Sequence, residues 1–393
     1  MQYYYNNLTI YTIYLYVHKR SLPISYYTQS SFFWTEQEAF FFQNFKNFSK
    51  NSGFSLENLC FSLSNRVYCK EHAAFERIYY EQPGMKRKLI IDLSPGIEAT
   101  LALWLALRNP DLDVLAVTSS AGKVDSTRAG QNLHTILDLF DPSPRPRFGV
   151  GDEPLGGLSV DGSMLNGQDG LGDVGVPVVD LLQRPSAAKV ILDVIKSNPN
   201  EITVLALGPL TNIAHALTID PGVASLIGHL VICGGSLSAV GNITPCAEFN
   251  VYCDPRAAQE VFQSKLTKTL VPIDVASRFS VGVDVINQIT AADPDFGFRK
   301  SLSALFRNYR QWLGREKIFV NSSVALLSIL HPDLFSRQKL HVDVETSGEL
   351  TTGMTVFDQR ILSPSRPNIE VITDFDKHVL SMFFAEAIRI YST

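Results

Sequence analysis

The sequence has 393 residues, of which 45% are hydrophobic and 19% charged, and its formal net charge at pH 7 is −5. This composition is typical of a globular protein, and the negative charge gives no general attraction to nucleic-acid phosphates or anionic membranes. No apolar run reaches the roughly 18 residues that a membrane-spanning helix needs. The five cysteines form neither a CxxC pair nor a cluster with zinc spacing. We therefore expect a cytoplasmic protein with reduced thiols and with no nucleic-acid or membrane partner.

The first 84 residues differ in composition from the rest of the chain. They hold 22 of the 41 aromatic residues and 11 of the 14 tyrosines, but no aspartate. Their apolar residues keep neither the period of a strand nor that of a helix. The segment also lacks the basic start and the small-residue cleavage site of a secretory signal. We predict that residues 1–84 lie outside the fold, either disordered or as upstream sequence preceding a start at Met85. A genuine accessory segment is the alternative.

From residue 85 onward, short apolar runs typical of strands alternate with helical patterns. The predicted central strands cover 88–92, 113–119, 202–208, 229–235 and 269–274, with helices over 97–109, 209–220 and 254–264. Later strands are predicted over 339–346, 354–358 and 368–373, followed by a helix over 375–390. Runs that are apolar throughout belong to parallel strands covered on both faces, and the alternation implies right-handed crossovers. The sequence thus predicts one α/β domain over 85–393, a Rossmann-like, open, mostly parallel sheet with helices on both faces.

The loops that follow the strands are the expected location of a ligand site. In an open α/β sheet, ligands bind beyond the carboxyl ends of the strands. The loops in question cover 92–99, 119–124, 207–212, 234–250 and the segment before Val324.

Three of these loops carry motifs. The first strand ends in IDLSPGIEATLAL, a later strand runs into ALGPLTNIAHAL, and the next is followed by GGSLSAVGNITPCAEFNVYCDPRAA. Together with VDVETSGELTTGMTVFD over 342–358, they resemble the inosine–uridine-preferring nucleoside hydrolases, whose motifs are DxDPGxDDA, ALGPLTN and GGxxxxxGNxTPxAEFNxxxDPEAA. The resemblance covers essentially all of 85–393.

The resemblance implies a nucleoside N-ribohydrolase, which hydrolyses the N-glycosidic bond of a ribonucleoside to free base and ribose. Such reactions pass through an oxocarbenium-like state that water attacks. The family holds Ca²⁺ on carboxylate oxygens, and the ion binds the ribose 2′- and 3′-hydroxyls and the attacking water. An aspartate accepts the proton, and a histidine helps the base to leave. The family forms homodimers and homotetramers, so we expect one of these assemblies here.

Several of the family's calcium-ligand positions hold other residues in this chain. Ser94 stands where the family has its general base, which is also a calcium ligand. Ala99 and Ser322 replace two further aspartate ligands, and Leu207 matches a position that supplies only a main-chain carbonyl. Because hydroxyl and carbonyl oxygens alone bind Ca²⁺ weakly, we predict that the chain uses no metal cofactor.

Four residues are the predicted catalytic residues. Asp92 keeps the family's first aspartate, Glu98 replaces an aspartate that contacts a ribose hydroxyl, and Asn321 takes the place of the leaving-group histidine. Lys123 replaces an asparagine that reaches the ribose from the turn after the second strand. Lysines are usually solvated surface residues. This one follows a strand end, so we predict that its ammonium lies in the pocket, close to Asp92 and Glu98.

The predicted substrate-binding residues are better preserved. Asn242, Glu248 and Asn250 match family residues that hydrogen-bond the sugar hydroxyls, and Asn166 falls where many members place a histidine beside the nucleoside. Asparagine is also common as a loop cap, and this is the alternative role for Asn242 and Asn250. We predict that the four residues bind a ribosyl group.

Two functional hypotheses follow from this mixture of kept and lost residues. In the first, the chain is a hydrolase of altered or weak activity, with Asp92 or Glu98 as its general base. In the second, it is a catalytically inactive pseudoenzyme that binds ribosides. A structural or interaction role has only the aromatic N-terminal segment in its favour. The base preference is left open because the contacts to the leaving base come from variable loops.

Overall fold

The computed structural model describes residues 86–154, 161–181, 183–238, 240–292, 297–362 and 364–390. The predicted extension, residues 1–84, lies outside the described residues and stays a prediction. The strands of the described part are β1 (Arg87–Leu93), β2 (Leu112–Ser119), β3 (Arg147–Val150), β4 (Ile202–Leu207), β5 (His229–Cys233), β6 (Lys268–Val271), β7 (Ser280–Gly282), β8 (Lys317–Phe319), β9 (Phe335–Val344), β10 (Thr355–Asp358) and β11 (Ile369–Phe375).

Nine of these strands form one sheet in the order β10-β9-β11-β6-β5-β4-β1-β2-β3. Neighbouring strands from β3 to β11 pair in parallel, whereas β9 is antiparallel to both β11 and β10. Strands β7 and β8 pair separately as a short antiparallel ladder. The prediction of an open, mostly parallel sheet is therefore confirmed.

Helices connect the strands. Their bounds are α1 (Ile97–Arg108), α2 (Ser126–Phe140), α3 (Ser163–Asn166), α4 (Ala187–Ser197), α5 (Thr211–Ile219), α6 (Phe249–Cys253), α7 (Pro255–Gln263), α8 (Ile273–Ala276), α9 (Asp284–Ala292), α10 (Arg299–Leu313), α11 (Asn321–Leu330) and α12 (Lys377–Ile390). No helix within the described ranges combines the length and the hydropathy needed to cross a bilayer.

The two faces of the sheet bury alternate side chains of the same strands. Ile90 of β1 belongs to one core cluster with residues of α4, α5 and α7. Its neighbours Leu89 and Ile91 are equally buried and point to the other face, since successive strand residues alternate. There α1, with the buried Trp104, packs against α11. Helices therefore cover both faces, as the continuous apolar runs predicted.

Local sequence signals set the helix starts near the site. The carboxylate of Asp254 accepts a hydrogen bond of 3.1 Å from the Ala257 N–H, and Pro255 occupies the first turn of α7. Asp254 is thus the N-cap of α7, a residue whose side chain satisfies a main-chain donor that the helix leaves unpaired. Helix α2 begins in the same way, with Asp125 accepting from Arg128 N–H at 2.9 Å.

The structure differs from the prediction at a few boundaries. The strand predicted over 269–274 ends at Val271, because Pro272 has no N–H to extend the ladder, and α8 follows directly. Strand β9 begins at Phe335, earlier than the predicted 339. Strand β3 was not predicted, since it comprises only four residues and two of them are not buried.

Candidate active site

Asp92 lies near the carboxyl end of β1, an interior strand of the sheet, opposite Thr118 of β2 and Ala206 of β4. It is fully buried. Its Oδ1 accepts hydrogen bonds from Thr118 Oγ1 at 2.6 Å and from Asn212 Nδ2 at 2.7 Å. Its Oδ2 is buried and has no hydrogen-bond partner in the described part of the chain. A buried acceptor without a partner is costly in a folded protein, so Oδ2 is an atom at which a ligand would be bound favourably.

Burial changes the acidity of this carboxyl group. It raises the pKa of Asp92 from 3.8 to about 6, and the hydrogen bonds from Thr118 and Asn212 oppose the rise. Burial raises an acid's pKa because a low-dielectric interior disfavours the charged form. A carboxylate with a pKa near the working pH is suited to accept a proton.

Glu98, in the first turn of α1, is bound differently. Its Oε1 accepts from the Ser322 N–H at 2.7 Å and its Oε2 from Ser322 Oγ at 2.6 Å. Both oxygens are therefore occupied by one residue at the start of α11. Burial raises the pKa of Glu98, while the Ser322 hydrogen bonds and the charge of Lys123 oppose this rise.

Lys123 points into the site from the turn after β2. Its main-chain N–H donates to Ser94 Oγ at 3.1 Å, and its Nζ donates to the Ser94 carbonyl at 3.3 Å. The Nζ also lies 5.5 Å from the centroid of the Phe249 ring, within the range of a cation–π contact. Burial lowers the pKa of Lys123, and the opposing charges of Glu98 and Glu248 raise it.

The loop after β5 carries three of the predicted sugar-binding residues. The buried Glu248 accepts from the N–H groups of Gly235 at 3.0 Å and Val251 at 3.2 Å, and it caps α6. The amide of Asn242 accepts from Phe249 N–H at 2.8 Å, and that of Asn250 donates to the Cys233 carbonyl at 2.9 Å. Each of these side chains thus also has a structural role in the loop.

The remaining predicted residues lie in α3, α11, α1 and β4. Asn166, at the end of α3, accepts from the Ile97 N–H at 3.1 Å and so pairs a donor at the start of α1. Asn321 begins α11 and accepts from Ser277 Oγ at 3.2 Å. Ala99 is buried in α1, and Leu207 ends β4 in register with Leu93.

Several residues of this region were not predicted. Asn212 and Thr118 hold Asp92, Phe249 faces Lys123, and the buried thiols of Cys233 and Cys253 lie near Glu248. Burial raises the pKa of Cys253 to about 12, so this thiol stays protonated. Asn212 could have been found, because it is the asparagine of the ALGPLTN motif. The same holds for Phe249, which is the phenylalanine of the AEFN motif. The other contacts have no signal in the sequence.

These charged side chains lie at the carboxyl ends of parallel strands, which is where open α/β sheets bind their ligands. Comparison with known proteins identifies the class: residues 89–381 match the family model of inosine-uridine preferring nucleoside hydrolase. The chain belongs to this family of hydrolases, which act on N-glycosyl bonds.

Curated relatives agree with this assignment. The chain is 33% identical over 282 residues to uridine nucleosidase 1 of Arabidopsis thaliana, covering 70% of this chain and 83% of the relative. It is 31% identical over 313 residues to the pyrimidine-specific ribonucleoside hydrolase RihA of Escherichia coli, covering 78% of this chain and all of the relative.

Solved structures of nucleoside hydrolases have the same fold as this chain. A plant nucleoside hydrolase, PpNRh1, superposes with a TM-score of 0.70 at 26% identity, over 78% of this chain and 99% of that one. An inosine-guanosine nucleoside hydrolase superposes with a TM-score of 0.69 at 30% identity, over the same shares of the two chains.

Family membership corrects the prediction about the cofactor. We predicted no metal because Ser94, Ala99 and Ser322 replace carboxylate ligands, and that prediction is wrong. The homologues are calcium-dependent nucleoside hydrolases, and missing carboxylates do not by themselves prove that the ion is lost. The fit of the residues to the ion is nevertheless incomplete. Asp92 Oδ2 is an anionic oxygen without a partner, but the described residues contain no group of three His, Cys, Asp or Glu that could hold a metal ion. We therefore assign no step of the reaction to a metal.

Proposed function

We propose that this nucleoside hydrolase cleaves the N-glycosidic bond of a ribonucleoside, with Asp92 as the general base. The observation that carries the proposal is the buried Asp92 carboxylate, whose Oδ2 has no partner among the described residues while its Oδ1 is held by two donors. Held in this way, the carboxylate presents a single oxygen in a fixed direction. Fixed orientation of an acceptor is a large part of what a catalytic base contributes.

Glu98 is the weaker candidate for this role. Both of its oxygens accept short hydrogen bonds from Ser322. A carboxylate that accepts a proton from water needs a free lone pair directed at that water. Protonation of Glu98 would weaken the hydrogen bonds from Ser322, because a carboxylic acid is a poorer acceptor than a carboxylate, whereas Asp92 Oδ2 accepts no bond within the described residues.

The proposed reaction has one bond-forming and one bond-breaking event. Water attacks the anomeric carbon, Asp92 Oδ2 takes a proton from that water, and the bond from the anomeric carbon to the base nitrogen breaks. The departing base takes its proton from solvent, because the amide at Asn321 has no acidic proton to give. Asn321 would serve the base only as a hydrogen-bonding partner.

The sugar would be held by the residues of the β5 loop and of α3. Asn242 and Asn250 each commit one group of the side-chain amide to the loop. An amide has both donor and acceptor capacity, so the other group of each remains available for a hydroxyl. Glu248 and Asn166 complete the proposed set. The two roles of Asn242 and Asn250, loop cap and sugar ligand, are therefore compatible.

The test is the variant Asp92→Asn, which keeps the shape of the side chain and removes its basicity. Turnover of uridine and inosine, measured with and without added Ca²⁺, should fall by about 100-fold or more. The dissociation constant of the nucleoside, measured by calorimetry, should stay within a few-fold of the wild-type value. Asp193→Asn is the matched control, because Asp193 on α4 forms an exposed ion pair with Arg147 of β3.

Two outcomes would reject the proposal. Full turnover by Asp92→Asn would exclude Asp92 as the base and return Glu98 to consideration. Nucleoside binding by the wild type without turnover of any nucleoside would support the alternative, a ribosyl-binding pseudoenzyme.

A further inference from the structure

We propose that Lys123 is a sugar-binding residue, whose ammonium group donates a hydrogen bond to the 2′- or 3′-hydroxyl of the bound ribosyl group. The inference rests on the proposed function, since it names a further residue of the same pocket. It starts from the path of the side chain, which turns inward where a lysine on an exposed turn would usually extend into solvent.

Two glycines create the space for this path. A Cβ on Gly96 would overlap the Cδ and Cε of Lys123, and a Cβ on Gly162 would lie 2.9 Å from the Lys123 Cα. The stem of the lysine therefore passes directly over Gly96, and Gly162 packs against the main chain at the base of the side chain. Asn166 Oδ1 lies at the same place, 2.8 Å from the Cβ position of Gly96. The stem of Lys123 therefore passes close to Asn166, a residue already proposed to bind the sugar.

The ammonium has fewer acceptors than it has protons. It carries three N–H donors, and within the described residues Nζ donates one hydrogen bond, to the Ser94 carbonyl at 3.3 Å. The ring of Phe249, 5.5 Å away, compensates the charge on one side but accepts no ordinary hydrogen bond. A partly buried ammonium with unused donors is unfavourable unless water or a ligand accepts from them.

The surrounding charges favour a neutral polar ligand at this point. The charges of Glu98 and Glu248 both oppose the lowering of the Lys123 pKa that burial causes. Burial raises the pKa of each glutamate, and the lysine charge opposes that rise. With two carboxylates near one ammonium, the region gives no net attraction to an anion such as phosphate. A hydroxyl group fits, because it accepts a hydrogen bond from the lysine and donates its own proton to a carboxylate.

The experiment compares binding of a ribonucleoside with binding of its 2′-deoxy and 3′-deoxy analogues to Lys123→Met. Methionine keeps most of the length and volume of the stem but has no donor. The dissociation constant of the ribonucleoside should rise about tenfold or more, as expected for a lost hydrogen bond from a charged donor. The rise should be much smaller for the one deoxy analogue that lacks the contacted hydroxyl, because that ligand had no bond to lose.

Two further variants keep the test decisive. Lys123→Gln retains N–H donors without the charge and should bind the ribonucleoside more tightly than Lys123→Met. If Lys123→Met does not fold, Lys123→Gln takes its place in the analogue comparison. Lys189→Met is the matched control, because Lys189 is exposed on α4, and it should bind all three ligands like the wild type.

The outcomes separate this inference from the proposed function. An equal loss for all three ligands, or unchanged binding by Lys123→Met, would overturn the role of Lys123 while leaving hydrolysis by the wild type intact. Failure of the wild type to bind any of the three ligands would overturn the proposed function and this inference together. Binding without turnover would reject only the hydrolytic assignment.

Discussion

Glu98 and Ser322 are joined by two hydrogen bonds, of 2.7 and 2.6 Å, across a separation of 224 residues in the sequence. Glu98 lies in the first turn of α1 and Ser322 in the first turn of α11. The pair therefore connects the N-terminal ends of two helices that pack on the same face of the sheet. Because an N-terminal helix end carries partial positive charge, the carboxylate is stabilised by both helices.

The first prediction concerns the stability that this pair contributes. Ser322→Ala removes the hydroxyl donor and leaves Glu98 Oε2 with one fewer partner in a buried setting. The free energy of unfolding should fall by about 1–3 kcal/mol, the usual cost of a lost hydrogen bond to a charged group. Urea denaturation of the wild type and the variant measures this change in the free energy of unfolding. Ser303→Ala is the control, since Ser303 is exposed on α10 and its hydroxyl donates, within the described residues, to the Arg299 carbonyl of its own helix. Equal stability of the two variants would show that the Glu98–Ser322 pair is energetically neutral.

The second prediction concerns Asp254, whose carboxylate both caps α7 and accepts from Thr211 Oγ1 at 2.7 Å. Asp254→Ala leaves the Ala257 N–H and the buried Thr211 hydroxyl without an acceptor. Unfolding should become easier by about 2–4 kcal/mol, a cap and a buried hydrogen bond together. Asp376→Ala removes an exposed cap, bonded to the N–H groups of His378 and Val379, and should cost about 1 kcal/mol. A cost for Asp254→Ala no larger than that of the exposed cap would contradict the expectation.

The fold could be predicted because the apolar pattern of each strand agrees with the layers of helices that cover the sheet on both faces. The runs that became β1 and β4 are mostly apolar on both sides of the strand, and only a sheet covered on both faces buries such strands. The boundary at Val271 was missed because Ile273 continues the apolar pattern beyond Pro272, but the missing N–H of Pro272 ends the ladder. Four-residue strands such as β3 carry too little pattern for detection.

The site could be predicted only in part, because its contacts join distant segments. The motifs indicate the residues around Asp92 and Glu248, but Asn212 reaches Asp92 across 120 residues of sequence. For Lys123, the sequence alone does not distinguish a solvated turn from a pocket. Its inward path depends on Gly96 and on Phe249, which only the folded chain brings to it.

The third prediction concerns Asn250 as a ligand of the sugar. Asn250→Ala should raise the dissociation constant of a ribonucleoside about tenfold, corresponding to about 1.4 kcal/mol for one lost hydrogen bond. It also removes the donor to the Cys233 carbonyl, so some stability should be lost as well. Asn368→Ala is the matched control, because Asn368 pairs both amide groups with the main chain of Val342 in β9. It should lose stability without losing affinity. Unchanged affinity of Asn250→Ala, by calorimetry, would restrict Asn250 to its structural role.

The fourth prediction concerns the pH dependence that follows from Asp92. As the general base, Asp92 must be ionised, and its pKa is raised to about 6 by burial. The value of kcat/KM for a nucleoside should therefore increase as the pH rises through about 6 and reach a plateau above it. A profile that is flat between about pH 5 and 8, measured at constant ionic strength, would argue against Asp92 as the titrating base.

Because its pKa is raised, the ionised Asp92 carboxylate lowers the free energy of unfolding at neutral pH. An aspartate with a pKa of 3.8 when unfolded and about 6 when folded keeps its proton up to a higher pH in the native state. Stability is therefore lost as the pH rises from about 4 to about 6, and the loss is complete above that window, at about 3 kcal/mol. Asp92→Asn does not titrate, so its free energy of unfolding relative to the wild type should increase by about 2–3 kcal/mol between about pH 4 and pH 7.5. Comparing the two proteins at each pH cancels the titration of all other groups. A difference that does not change with pH would show that Asp92 has an ordinary pKa in the folded protein, and the argument for it as a base near neutral pH would then fail.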